Sequence, residues 1–233
     1  MSGHMFSVKG LESGYGQSQV IHDLNLDVSK KEIVAVMGRN GMGKTTLFKT
    51  LMGILPAFKG SISVDGKQLD GLDTYRRVQQ GLAYVPQGRM IFSHMTVLEN
   101  IQTGLPASAN GIVPEELYAL FPVLFDMRGR KGGNLSGGQQ QQLAIARALA
   151  TNPKVLLLDE PTEGIQPSII KDIAKSLREI RELRDLTIIV SEQVLSFTLD
   201  IADRFFVIDK GKFVYENQRA NVDEKVISKY LSI

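Results

Sequence analysis

Between the apolar run Ile33 to Met37 and a helix-like segment starting near Lys44 lies Gly38-Arg39-Asn40-Gly41-Met42-Gly43-Lys44-Thr45. Few octapeptides restrict a chain as much. Glycines let the backbone curl and turn its N–H groups inward, where side chains would block a bulky anion. Lys44 then faces the β- and γ-phosphates of a nucleotide, and the Thr45 hydroxyl faces Mg²⁺. A strand before the loop and a helix after it set the phosphates at a helix N-terminus, where unpaired amides and the dipole favour negative charge. The bland alternative is a glycine-rich turn, and the flanking strand and helix argue against it. A nucleoside triphosphate follows from the loop, but no particular task does.

The 233 residues suffice for a sizeable core and for one or two domains. No cysteine is present, which excludes disulfides and thiolate zinc sites and suits the cytosol. A net charge of +2 gives no general reason to expect a nucleic-acid partner. No apolar run reaches the ~18 residues that span a bilayer. Any membrane role is therefore expected to come through a partner. Residues 1–5, with Met5 so soon after Met1, read as a cloning scar rather than part of the fold.

In chain order, Phe6 to Val28 reads as strands because Leu24, Leu26 and Val28 alternate with polar residues. Tyr15, between Gly14 and Gly16, has the flat face needed to stack on a purine and is equally plausible as a structural tyrosine. The helix after the loop is expected to run to about Ile54, with a turn around Gly60 before a strand from Ser61 to Asp65. Asp73 to Gln80 reads as a solvated helix and Leu82 to Val85 as a strand. Gln87 follows that strand in a loop marked by Pro86 and Gly88, within reach of a metal-bound water or a phosphate.

Residues 88–150 change in texture: Val97 to Leu105 and Glu115 to Phe125 read as helical, interrupted by Pro106, Pro114 and Pro122. Leu135-Ser136-Gly137-Gly138-Gln139 then opens another helix, with Ser136 as N-cap and two glycines leaving amides open, a second anion-binding terminus. Val155 to Leu158 is a buried strand ending in Asp159-Glu160, at the edge where open α/β sheets hold ligands. On an extended chain the two carboxylates point apart, so Asp159 suits the Mg²⁺ shell and Glu160 suits a base for water. Ile169, Ile173, Leu177 and Ile180 stripe one helix, Leu186 to Val190 is a strand, Asp203 to Glu216 is a hairpin, and Asn221 to Ile233 is a helical tail.

With the loop at 38–45, Gln87, LSGGQ at 135–139 and Leu-Leu-Leu-Asp-Glu at 156–160 in this order, nearly the whole chain resembles an ABC-type ATPase. LSGGQ carries the resemblance, since phosphate loops are shared by many enzymes. The resemblance implies a RecA-like α/β P-loop core with an N-terminal antiparallel β subdomain and an inserted α-helical subdomain. On that pattern residues 6–233 form one ATPase domain, with 6–87 and 151–233 making the β subdomain and core, and 88–150 the helical signature subdomain. Carried over residue by residue, Tyr15 is the adenine-stacking aromatic, and Gly38 to Thr46, including Arg39, Asn40, Gly41, Met42, Gly43, Lys44 and Thr45, is the Walker A loop. Gln87 is the Q-loop glutamine, Ser136, Gly137, Gly138 and Gln139 the signature, Asp159 the Walker B carboxylate and Glu160 the catalytic glutamate. ATP and Mg²⁺ are the implied cofactors, with Thr45, Gln87 and Asp159 around the metal.

Two departures stand out. Glu163-Gly164-Ile165-Gln166 replaces the usual Ser-Ala-Leu-Asp, and Gln193 stands where the family's switch histidine is expected. An amide can hydrogen-bond a phosphate but cannot become cationic. Val85-Pro86-Gln87-Gly88-Arg89, Glu163 to Ser168 and Glu192-Gln193 together resemble the ATPases of branched-chain amino acid uptake systems, most of all their urea and short-chain amide branch. The resemblance implies a head-to-tail pair of ABC subunits, with a heterodimer favoured and a homodimer possible. It also implies permease subunits on the cytoplasmic face of the inner membrane, with Arg89 to Thr96 facing them, and indirectly an extracytoplasmic solute-binding protein. The sequence also leaves open branched-chain amino acid import, a soluble ABC ATPase acting on nucleic acid, and a non-hydrolysing switch. A GTPase is disfavoured because no Asn-Lys-x-Asp motif appears.

Overall fold

Every residue of Ile33–Met37 and of Val155–Asp159 is buried, which a strand achieves only when both faces of its sheet are covered. The computed structural model describes residues 3–232, so the expected scar at 1–5 lies partly outside the described residues. Within it Met5 is packed, its amide donating to Val28 O at 2.8 Å.

The chain begins with β1 (Phe6–Tyr15), β2 (Ser18–Val28) and β3 (Ile33–Met37), then α1 (Lys44–Leu51), β4 (Ala57–Val64), β5 (Lys67–Gln68), α2 (Thr74–Gln79) and β6 (Leu82–Val85). Helices α3 (Val97–Gln102), α4 (Glu115–Leu120), α5 (Pro122–Asp126) and α6 (Gly137–Ala150) follow before β7 (Val155–Asp159). The remainder is α7 (Pro167–Arg184), β8 (Thr187–Glu192), α8 (Leu195–Ile201), β9 (Arg204–Asp209), β10 (Lys212–Gln218) and α9 (Glu224–Leu231). An antiparallel sheet of order β2-β1-β4-β5 lies beside a six-stranded sheet of order β10-β9-β3-β8-β7-β6. In the larger sheet only the β9–β10 hairpin is antiparallel.

Alternate residues of the central strands feed two cores. Val34, Val36, Leu157 and Ile189 pack with Leu47, Phe48 and Leu51 of α1 and with Phe6, Val8 and Leu11 of the antiparallel sheet. Ala35, Met37, Leu156, Leu158, Ile188 and Val190 pack with residues of α3 to α8. The parallel strands therefore point their C-terminal ends, Met37, Val85, Asp159 and Glu192, toward one edge of a layered α/β domain.

Some local expectations are corrected. Helix α1 stops at Leu51 rather than near Ile54, because the amides of Ile54 and Leu55 both turn back to Lys49 O. No turn breaks the chain at Gly60: β4 runs through it from Ala57 and absorbs it as a bulge against β1 between Lys9 and Glu12. Helix α2 is not wholly solvated, since Arg77 is buried and its guanidinium donates to Leu72 O, Thr50 O and Leu51 O, the last two at the C-terminal end of α1. The 115–125 segment is two helices hinged at Phe121, immediately before Pro122.

Candidate functional site

The phosphate loop leaves the end of β3 and enters α1 through Gly43, whose φ of 110° favours glycine. A Cβ there would also lie 3.1 Å from Ile21 Cδ1. Because the N-cap is a glycine, no side chain caps α1, and among the described residues the amides of Gly43, Lys44, Thr45 and Thr46 donate to no protein acceptor. Four amides aimed from a helix start into a cleft make an anion cradle. Lys44 is 4% exposed, and its Nζ donates to Gly38 O at 2.6 Å and Arg39 O at 3.0 Å while pairing with Glu160 Oε1 at 2.9 Å. The cleft, ≈ 430 Å³, is lined by Tyr15, Asn40, Gly41, Gly43, Lys44, Thr45, Thr46, Gln87 and Glu160, with Val20 as an apolar wall that sequence reasoning missed. Tyr15 ends β1 rather than sitting in a loop, and is 48% exposed at the cleft's mouth.

Behind the loop stand the carboxylates. Asp159 Oδ1 accepts from Ser191 Oγ at 2.5 Å and Oδ2 accepts from the Tyr84 hydroxyl at 3.1 Å. Burial pushes the Asp159 pKa up, against the pull of the Ser191, Thr45 and Tyr84 hydroxyls. The expectation of an extended chain through Asp159-Glu160 is corrected, because Glu160 has φ of 48°. Its amide donates to Ser191 O at 3.0 Å and sits 3.2 Å from Ser191 Oγ, so the left-handed turn is held by β8. The turn brings Glu160 over Lys44, with Gln193 Nε2 3.4 Å from Oε1 and Gln87 Nε2 3.4 Å from Oε2. Gln193 Nε2 also donates to Asn40 Oδ1 at 2.8 Å, which ties the switch position to the phosphate loop.

Ser191, Thr162 and Tyr84 were not singled out from sequence, and Glu192 entered only as part of the Glu192-Gln193 motif. Glu192 is 2% exposed, and its carboxylate accepts from Thr162 Oγ1 at 2.6 Å, Thr162 N at 2.9 Å, Gln193 N at 2.9 Å and Val194 N at 3.2 Å. It clasps the loop after Glu160 to the loop that carries Gln193. Burial raises its pKa, opposed by those hydrogen bonds. The available signal was positional, since a polar pair ends an otherwise apolar strand on the ligand edge of the sheet.

The donors around Asp159 suit Mg²⁺. The metal prefers oxygen, keeps several waters, and uses one or two carboxylates with substrate phosphates. A buried carboxylate, the Thr45 hydroxyl and the Gln87 amide match that set, and none is a soft ligand.

The signature lies elsewhere. Ser136 caps α6, its hydroxyl accepting from Gln139 N while Gln139 Oε1 accepts from Ser136 N at 2.9 Å. Ser136, Gly137, Gly138 and Gln139 line a separate cleft of ≈ 310 Å³ with Gly164, Gln166 and Ile169, and it shares no lining residue with the phosphate-loop cleft. Arg89 spans from the segment after Gln87 to this region, donating to Glu163 O at 3.1 Å beside Gly137. A third surface is an apolar groove of ≈ 580 Å³ whose walls include Met52, Ile54, Tyr84, Met90, Phe92 and Arg147. Arg147 of α6 lies 5.2 Å over the Phe92 ring and donates to Met90 O at 2.8 Å, holding that wall against the helical side.

Comparison with known proteins agrees with this arrangement. A family model described as ABC transporter matches residues 21–163. The chain is 38% identical to the high-affinity branched-chain amino acid transport ATP-binding protein BraG of Pseudomonas aeruginosa, covering 97% of this chain and 99% of that protein. It is 33% identical to the lipopolysaccharide export system ATP-binding protein LptB of Haemophilus influenzae, with 97% of each covered. Among solved structures, the ADP conformation of an ATP-binding cassette of an ABC transporter superposes with a TM-score of 0.82 at 26% identity, over 99% of both chains. The chain belongs to the ABC transporter ATPase family, whose members bind ATP with Mg²⁺ and hydrolyse it in transport.

Proposed function

Taking that membership as premise, we propose that the chain is the ATP-hydrolysing subunit of a small-solute importer, working as one of two ABC subunits that close on ATP. The observation that carries the reading is the separation of the two glycine-rich helix starts into clefts with no common residue. A signature that belongs to an ATP site but stands apart from its own phosphate loop is used by a second subunit's nucleotide. Two helix N-termini facing each other can then desolvate a polyanion that one alone would leave wet.

In the closed site Lys44 exchanges its bonds to Gly38 O and Arg39 O for phosphate oxygens, and Glu160, relieved of Lys44, accepts a proton from the attacking water. Thr45, Asp159 and Gln87 would hold Mg²⁺, which would supply charge neutralisation of the phosphate oxygens when bound. Gln193 and Gln87, both within 3.4 Å of the Glu160 carboxylate, orient it, and Tyr15 stacks on the base. Residues 88–150 act as a helical signature subdomain on the 6–87 and 151–233 body. The groove lined by Met90 and Phe92 receives an apolar helix of the permease, which suits the 68% and 49% exposure of those two side chains. Among the described residues no helix is long and apolar enough to cross a membrane, so attachment through permease subunits fits.

BraG and the LivF of Archaeoglobus fulgidus, 34% identical, are named for branched-chain amino acid transport, which supports that solute class. The second reading, urea or short-chain amides, rests on the motifs at 85–89, 163–168 and 192–193. Phosphate release from the purified chain, followed against protein concentration, tests the pairing. A rate rising with the square of concentration in the dilute range is expected; a strictly linear rate overturns it. Pull-down from native membranes tests the importer, with permeases and a partner ATPase expected. The solute-binding protein of the same system, titrated with leucine, urea and acetamide, decides the solute.

A further inference from the structure

Tyr84 stands between two surfaces that the proposed function uses separately. Tyr84 is among the residues lining the apolar groove that Met90 and Phe92 also line, and its hydroxyl donates to Asp159 Oδ2 at 3.1 Å. The ring is held by Phe48 of α1, centroid to centroid 6.5 Å, and its backbone by pairing of β6 with β7, where Tyr84 stands opposite Leu157. Ser191 Oγ occupies the other carboxylate oxygen at 2.5 Å. Ser191 and Tyr84 thus donate to opposite oxygens of the Asp159 carboxylate, with the Thr45 hydroxyl also acting on it. In a buried metal site the donors behind a ligand set its orientation as firmly as the backbone does.

We propose that Tyr84 is a positioning residue for the Mg²⁺ carboxylate: its hydroxyl holds Asp159 in the rotation that would meet the metal. This rests on the reading of Asp159 as a metal-facing group.

The test is Mn²⁺ binding to the ADP-loaded chain by electron paramagnetic resonance, in wild type, Tyr84→Phe and Asp159→Asn, with ADP affinity in EDTA measured alongside. Tyr84→Phe removes one oxygen and keeps the ring. It is expected to weaken Mn²⁺ binding about 10-fold, the low end of the range for outer-sphere partners of metal ligands, while ADP affinity without metal stays within about two-fold. Ser191→Ala, which removes the donor on the other oxygen, is expected to weaken Mn²⁺ similarly. Unchanged Mn²⁺ affinity in Tyr84→Phe, with a clear loss in Asp159→Asn, overturns the role of Tyr84 and leaves Asp159 in place. Unchanged affinity in Asp159→Asn overturns the underlying reading instead. An equal loss of metal-free ADP affinity in Tyr84→Phe assigns the tyrosine to packing α1 through Phe48, and also overturns the proposal.

Discussion

Helices α1 and α6 both begin at glycine-rich segments, yet their first-turn amides meet different fates. At α1 the N-cap is Gly43 in a left-handed conformation, no side chain caps the helix, and the amides from Gly43 to Thr46 have no protein acceptor. At α6 the N-cap is Ser136, and Ser136 and Gln139 satisfy each other in a capping box. An uncapped, inward-facing terminus backed by Lys44 is an anion site in its own right, whereas a capped one is stable alone and has less left to offer a ligand. Under the proposed function, the asymmetry fits nucleotide capture at the phosphate loop and completion of the site by the signature.

The largest effect that tests this division is chemical. Glu160 sits on the α1 side, paired with Lys44 at 2.9 Å, so Glu160→Gln is expected to slow phosphate release by about 10²- to 10⁴-fold while ATP binding survives. Nucleotide-locked dimers should then accumulate in size-exclusion chromatography with ATP. Turnover near wild type would remove the base from the phosphate-loop side and break the comparison.

Glycine substitutions at the two helix starts come next. Gly43→Ala forces a Cβ onto φ of 110° and to within 3.1 Å of Ile21 Cδ1, a strain of roughly 1–2 kcal/mol concentrated on the cradle. ADP affinity, read by titration with a fluorescent analogue, should fall about 10-fold, the equivalent of 1.4 kcal/mol. Gly137→Ala meets only the flexible Arg89 guanidinium at 3.3 Å, so ADP affinity of the isolated chain should be unchanged while ATP turnover falls. Equal effects on ADP binding from both would merge the two termini into one function.

Much of this was legible from sequence because the informative segments are local. A strand, a glycine-rich loop and a helix start at 33–45 specify their own geometry through backbone constraints, and the N-cap Ser136 directly precedes the helix it starts. The β-rich N-terminal region and α7 follow from periodicity, and the central strands from short continuous apolar runs, for the same reason. What stayed hidden depends on pairing across the chain. Tyr84 reaches Asp159 only because β6 lies beside β7, and Ser191 reaches it only because β8 lies on the other side of β7. Glu192 looked like part of a motif until β8 placed it against Thr162, 30 residues earlier. The left-handed turn at Glu160 is likewise imposed by Ser191, so no reading of residues 155–160 alone would have found it.

A smaller effect concerns the switch position, which belongs to the α1 side through Asn40. Gln193 donates to Asn40 Oδ1 at 2.8 Å and approaches Glu160 Oε1 at 3.4 Å, but its amide does not titrate. Gln193→His puts in that place a group that ordinarily titrates at about pH 6.5. The pH profile of turnover should acquire an inflection between about pH 6 and 7 that the wild type lacks, with a change in rate of a few-fold at most. A profile identical to wild type would show that position 193 does not face the reacting phosphate.

The smallest expected effect separates capping from ligand binding at α6. Ser136→Ala deletes the hydroxyl that accepts from Gln139 N, and losing such a cap costs about 1 kcal/mol, or about 2–4 °C in Tm for a chain of this size. Gln139→Ala deletes the reciprocal bond to Ser136 N and should lower Tm by a similar or smaller amount. Because the two bonds form one box, the double variant should lose less than the sum of the single losses, a coupling that calorimetry resolves. Catalysis need not follow stability. If Ser136 also contacts the partner's nucleotide, Ser136→Ala will lower dimer-dependent turnover more than Gln139→Ala at matched Tm loss. Equal turnover losses would mean that α6 contributes only its framework, leaving Gly137 and Gly138 to meet the phosphate with backbone amides alone.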